Sequence, residues 1–167
     1  MTAAVRLFDS GPLRFLPPAL REPRRAWLAI LVGAALTIAG SLLLSWAASL
    51  IAPNLAKPAF PMKGPVAFAL LVLFAPLTET LIMAGVLSLL ERFLAPTTAI
   101  LASAVLWGIA HSLQAAAWGL IIWWPFLIFS MLFMVWRTRG FWAGIAVAAT
   151  AHALQNLLPA LLVAFGR

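Results

Sequence analysis

Residues 65–90 read PVAFALLVLFAPLTETLIMAGVLSLL, and this run decides the fold. Its one ionisable side chain is Glu79. About 18–20 apolar residues suffice for a helix to cross the hydrocarbon of a bilayer, so the run is long enough to span one. A carboxylate at the bilayer centre costs about 2.5–3.5 kcal/mol, so Glu79 is expected to face protein or a water-filled cavity and to serve a function.

Four similar runs flank this one. They cover about residues 26–51, 97–116, 117–136 and 141–165. A loop with Pro53, Lys57, Pro58, Pro61 and Lys63 follows the first, and Glu91-Arg92 closes the second. Pro96 sits where a helix can start, because its missing N–H costs nothing in the first turn. Arg137-Thr138-Arg139-Gly140 closes the fourth run. Only Gln114, Trp118 and Gly119 mark a turn between the third and fourth, where a re-entrant segment is the alternative. The expected fold is therefore all-α: a polytopic membrane bundle of about five helices, in which residues 26–167 form the transmembrane domain.

Composition agrees. The chain is 65% hydrophobic and 9% charged, against roughly 25% charged in soluble domains. Its formal charge of +7 does not point to nucleic acid. Five of its 11 basic residues, Arg6, Arg14, Arg21, Arg24 and Arg25, precede the first run and read as a cytoplasmic flank drawn to anionic lipid. With no cysteine, disulfides, thiolate metal sites and thiol catalysis are excluded. Residues 1–25 are basic and broken by Pro12, Pro17, Pro18 and Pro23, so no continuous helix is expected there. Leu7, Phe8, Leu13, Phe15 and Leu16 are expected at the lipid interface. The first apolar run exceeds a signal-peptide core of roughly 7–15 residues and reads as a retained helix.

Basic residues also set the orientation. An inside N-terminus places Arg6, Arg14, Arg21, Arg24, Arg25, Arg92, Arg137 and Arg139 inside, and only Lys57, Lys63 and Arg167 outside. Trp118, Trp123 and Trp124 then belong to an outer aromatic belt. With no targeting feature, the expected location is a bacterial inner membrane with a cytoplasmic N-terminus.

Two further ionisable residues, His111 and His152, lie inside apolar runs. Counted from the inner loops at 1.5 Å per residue, Glu79 and His152 lie about 18 Å deep and His111 about 21 Å. Three helices thus carry one ionisable group each at a shared depth, the pattern of one buried polar site. Asn156, one helical turn after His152, faces the same way. Thr78, Thr80, Ser103, Ser112, Thr150 and Gln155 are candidates to complete the network. Interhelical polar contacts in membranes average only about 0.6 kcal/mol, so Asn156 or Thr80 alone would read as packing glue. Two histidines and a glutamate also permit a zinc set, but the His-Glu-x-x-His spacing is absent.

Three motifs occur in order: Ala75-Pro76-Leu77-Thr78-Glu79-Thr80-Leu81-Ile82-Met83-Ala84-Gly85, Trp107-Gly108-Ile109-Ala110-His111, and His152-Ala153-Leu154-Gln155-Asn156. The set resembles the CPBP family of intramembrane proteases, the CAAX-protease and bacteriocin-processing group, also called Abi. That family's motifs are Glu-Glu-x-x-x-Arg, Phe-x-x-x-His and His-x-x-x-Asn/Asp. Thr80 stands where the family has its second Glu, Ala84 where it has Arg, and Trp107 where it has Phe. Positions 80 and 84 are one turn apart, so joint loss of that Glu and Arg keeps the helix neutral.

The resemblance covers about residues 65–160 and implies a four-helix core preceded by one anchor helix. It also implies glutamate-dependent peptide hydrolysis. Glu79 and His111 would activate a water, and His152 and Asn156 would stabilise the oxyanion. No metal or other cofactor is implied. The expected function is an intramembrane endopeptidase acting on a membrane-associated protein or peptide. One alternative is a non-catalytic subunit of a larger membrane complex, and a third is a proton or ion pathway.

Overall fold

A computed structural model describes residues 8–166, so the readings on Arg6, Leu7 and Arg167 lie outside the described residues. Five long helices carry the chain: α1 (Ala26–Ile51), α2 (Gly64–Leu90), α3 (Pro96–Ser112), α4 (Ala116–Trp136) and α5 (Phe141–Phe165). No strand occurs among the described residues. Pro96 occupies the first turn of α3, where no N–H is needed. Between α4 and α5 a short 3₁₀ turn, Arg137–Arg139, ends at Gly140 with φ +132°, a backbone conformation that side-chain-bearing residues rarely adopt.

α1, α2, α4 and α5 are each long and apolar enough to cross a membrane. α3 has 17 residues, about 25 Å of helix, and stops at Ser112 rather than near residue 116. A tight turn replaces its last expected residues, with Leu113 N–H on Ile109 O at 3.2 Å and Ala115 N–H on His111 O at 3.1 Å. The turn brings α3 and α4 into close contact. A Cβ at Gly119 would collide with Ser112 Oγ and the Gly108 carbonyl, and one at Gly108 would meet Gly119 O at 3.2 Å. No proline or charge announces this boundary, because packing at two glycines sets it.

α4 is the central helix. Every residue from Pro125 to Trp136 is buried, and α1, α3 and α5 all pack against it. Phe126, Phe129, Phe133, Met131 and Leu132 are among the fully buried side chains. Lipid tails are as apolar as these groups, so shape-matched van der Waals packing holds the helices together rather than escape from water. The outward faces are apolar too, with Leu42, Leu43 and Trp46 on α1 and Leu73 and Phe74 on α2 all exposed. An apolar exterior over membrane-length helices makes this an integral membrane protein whose solvent is the bilayer.

The helices alternate in direction, and contacts pair their ends. At one end Arg137 Nη2 bonds Glu91 Oε1 at 2.5 Å, tying the α4–α5 and α2–α3 connections together. At the other, Ala117 N–H bonds Ala56 O at 3.1 Å, and Phe60 meets Trp118 edge-on at 5.6 Å.

The segment before α1 folds as a 3₁₀ turn, Pro12–Phe15, and a single helical turn, Pro18–Arg21. An Arg21–Asp9 ion pair and an Arg21 Nε bond to Leu16 O at 2.9 Å hold it compact. Leu13 and Leu16 are buried in the core with Leu20, which corrects the expectation that they lie at the lipid interface. Prolines turn the chain back over the bundle, and protein offers these leucines closer packing than headgroups. Phe15 is exposed, and Phe8 packs partly against the core.

Candidate active site

α2 begins regularly, but over Leu70–Phe74 it widens to a π-helix, with Ala75 N–H bonding Leu70 O five residues back. In that register the next bond would run from residue 76 to Leu71 O, and residue 76 is proline, which has no N–H. The orphaned Leu71 carbonyl is met by another helix: Asn156 Nδ2 donates to it at 3.0 Å. Pro76 thus creates an acceptor that fixes α5 against α2 at the level of the polar residues.

Glu79 follows one turn below. Its Oε2 lies 3.8 Å from His152 Nε2, an ion-pair separation when the imidazole is protonated but too long for a direct hydrogen bond. The Glu79 side chain keeps 28% of its surface exposed, whereas His152 keeps 6%. His152 Nδ1 is buried without a partner. His111, one residue before the end of α3, turns back on its own helix, with Nδ1 2.9 Å from Trp107 O. A carbonyl can only accept, so Nδ1 carries the proton and Nε2 keeps its lone pair in the neutral ring.

Aromatic rings rather than charges hold the imidazoles. Phe129 stacks on His152 at 4.5 Å and 22°. Phe126 lies between the two histidines, 5.6 Å from His111 and 5.5 Å from His152, and itself stacks on Trp107 at 4.1 Å. Trp118 meets His111 edge-on at 4.8 Å. Trp118, expected in an outer belt, forms part of this enclosure.

All four sequence-predicted site residues, Glu79, His111, His152 and Asn156, line one cavity of about 650 Å³. Of the lesser polar candidates only Gln155 joins them, donating from Nε2 to Ser41 Oγ on α1 at 3.3 Å. Thr78 and Thr150 bond carbonyls of their own helices, at 2.8 Å and 2.7 Å. Ser103 pairs with Ser130 at 3.1 Å inside the core. Thr80 is buried with its hydroxyl unpartnered, and Ala84 is fully buried beside Met83 and Leu87. Where the CPBP pattern carries Glu and Arg, this chain has a neutral packing face.

Sequence reasoning missed Ser41, Lys57 and the aromatic enclosure. Ser41 and Lys57 line the cavity from α1 and the α1–α2 loop, outside the three motifs. Phe126 and Phe129 sit in an unbroken apolar run, where nothing distinguishes a ring against an imidazole from any other core ring. Among the described residues no three His, Cys, Asp or Glu side chains cluster as a metal set.

Residues 61–158 match the family described as Type II CAAX prenyl endopeptidase Rce1-like. The match includes Glu79, His111, His152 and Asn156 and covers more than half of the chain, which belongs to this family. No curated protein and no solved structure matches the chain.

Proposed function

We propose that this member of the Rce1-like family is an intramembrane endopeptidase that cuts a membrane-associated protein or peptide. The observation that supports it most is the convergence of Glu79, His111, His152 and Asn156, from three helices, on one cavity. The His111 Nε2 lone pair and the Glu79 carboxylate accept hydrogen bonds from a water and draw off its proton as the oxygen adds to the substrate carbonyl. General-base assistance of this kind contributes about 10²–10⁴-fold. Asn156 has a second N–H beyond the one on Leu71 O, and with His152 it provides donors for the developing oxyanion. Such a donor is worth about 10²–10³-fold. The proton taken from water passes to the leaving amine, and the products are a carboxylic acid and an amine.

Glu79→Ala and His111→Ala proteins in liposomes test the reading against a membrane-associated peptide that the parent cuts. Each is expected to lose at least 10²-fold in cleavage rate while keeping its thermal unfolding temperature. Parental rates in both would sink the mechanism.

A second reading is a non-catalytic subunit of a membrane complex. The neutral, buried face at Thr80 and Ala84 favours it, because no charged pair supports Glu79 from its own helix. Stable co-purification with partner proteins, with unchanged behaviour in a Glu79→Gln variant, would select this reading.

A further inference from the structure

The cavity and the arginines occupy opposite ends of the bundle. Exposed Arg24, Arg25, Arg92 and Arg139 lie at the end where Arg137 pairs with Glu91. The segment before α1 also enters here, burying Leu13, Leu16 and Leu20 in the core, and the Phe133–Trp136 stretch of α4 is buried. No cavity-lining residue comes from this end. The opposite end carries Lys57 and Lys63 in the α1–α2 loop. Pro53 and Lys57 of that loop are exposed and also line the cavity, as do Trp118 after the α3–α4 turn and Val163 near the end of α5. The cavity therefore opens toward the lysine end and is closed toward the arginine end.

The end with the excess of arginine and lysine in its short connections is retained on the cytoplasmic side, and Arg24, Arg25, Arg92 and Arg139 outnumber Lys57 and Lys63. Putting these facts together, we infer that the site is reached from the extracytoplasmic side. Its substrate is then an outward-facing segment or terminus of a membrane protein, not a lipidated carboxyl terminus held on the cytoplasmic leaflet. This rests on the reading of the cavity as the active site. α1, which lies outside the family-matched region, forms one wall of the entry through Ser41, Ser45 and Ser49. Lys57 gives the mouth a positive charge, and Glu79 sits at its depth.

The chain has no cysteine, so single cysteines report position without background. Lys57→Cys and Lys63→Cys are placed at one end, Arg92→Cys and Arg139→Cys at the other, and Ser45→Cys inside the cavity wall. Intact bacterial cells expressing each protein are treated with a membrane-impermeant sulfonated maleimide, before and after permeabilisation. Lys57→Cys, Lys63→Cys and Ser45→Cys are expected to react fully in intact cells. Arg92→Cys and Arg139→Cys are expected to gain at least tenfold on permeabilisation. The reverse pattern, or equal labelling of both ends in intact cells, overturns the inference. Two positions at each end keep the result readable if one variant fails to fold. Labelling needs no catalysis, so an inert Glu79→Gln protein must label identically. Loss of the protease reading then leaves the access result standing, and a failed access result leaves the protease reading untouched.

Discussion

The CPBP resemblance implies an oxyanion-donor role for Asn156, and the structure shows a bond that holds independently of that role. It satisfies the carbonyl that Pro76 strands, and leaving this part-buried group unmet costs about 1–2 kcal/mol, toward the low end for buried carbonyls. Asn156→Ala is therefore expected to destabilise the protein by that amount in thermal unfolding. The loss should shrink by about 1 kcal/mol in a Pro76→Ala background, where residue 76 regains an N–H. Additive losses would show that the two residues are not coupled. That Glu79, His111 and His152 share one cavity was expected because ionisable groups are rare in apolar runs and the three depths agree, whereas Asn156 was added by the CPBP resemblance. The Pro76–Leu71–Asn156 link was not legible, since a π-helical register leaves no mark on composition. The stacking of Phe129 on His152 was hidden for a similar reason, because a ring in a run of rings signals only packing.

At the scale of elements, the α3–α4 contact rests on absent side chains. Gly119→Ala would drive a Cβ into Ser112 Oγ and the Gly108 carbonyl, and is expected to cost about 1–3 kcal/mol. Gly85→Ala, with nothing within 4 Å of its Cβ, should leave the unfolding temperature unchanged or slightly raised. α2 allows a sharper test of the two departures from the CPBP pattern. Thr80→Glu alone places an unpaired carboxylate on a buried face and is expected to destabilise by about 3 kcal/mol. Adding Ala84→Arg one turn away should recover part of that loss, and no recovery would mean that the face cannot hold the pair. Helix existence was legible from run length, and four of the five runs give helices of full spanning length. The early end of α3 was not, because close backbone approach at Gly108 and Gly119 sets it.

At the scale of the molecule, a central helix, α4, has at one end a largely apolar cavity that holds the polar site residues, and at the other a packed core. Arginine placement carries an expected orientation, but only the fold relates that expectation to the cavity, because the mouth is assembled from the α1–α2 loop and the ends of three helices. In the proposed mechanism, residues from different helices act as one hydrolytic unit. Groups that activate the same water lose most of their joint effect when either is removed. The decisive measurement is the single-turnover cleavage rate of the parent, Glu79→Gln, His111→Ala and the double variant, in liposomes with one peptide. Each single substitution should cost at least about 10²-fold, with the double no more than a few-fold slower than the slower single. Losses that multiply, or a double variant that cleaves like the parent, would contradict the account.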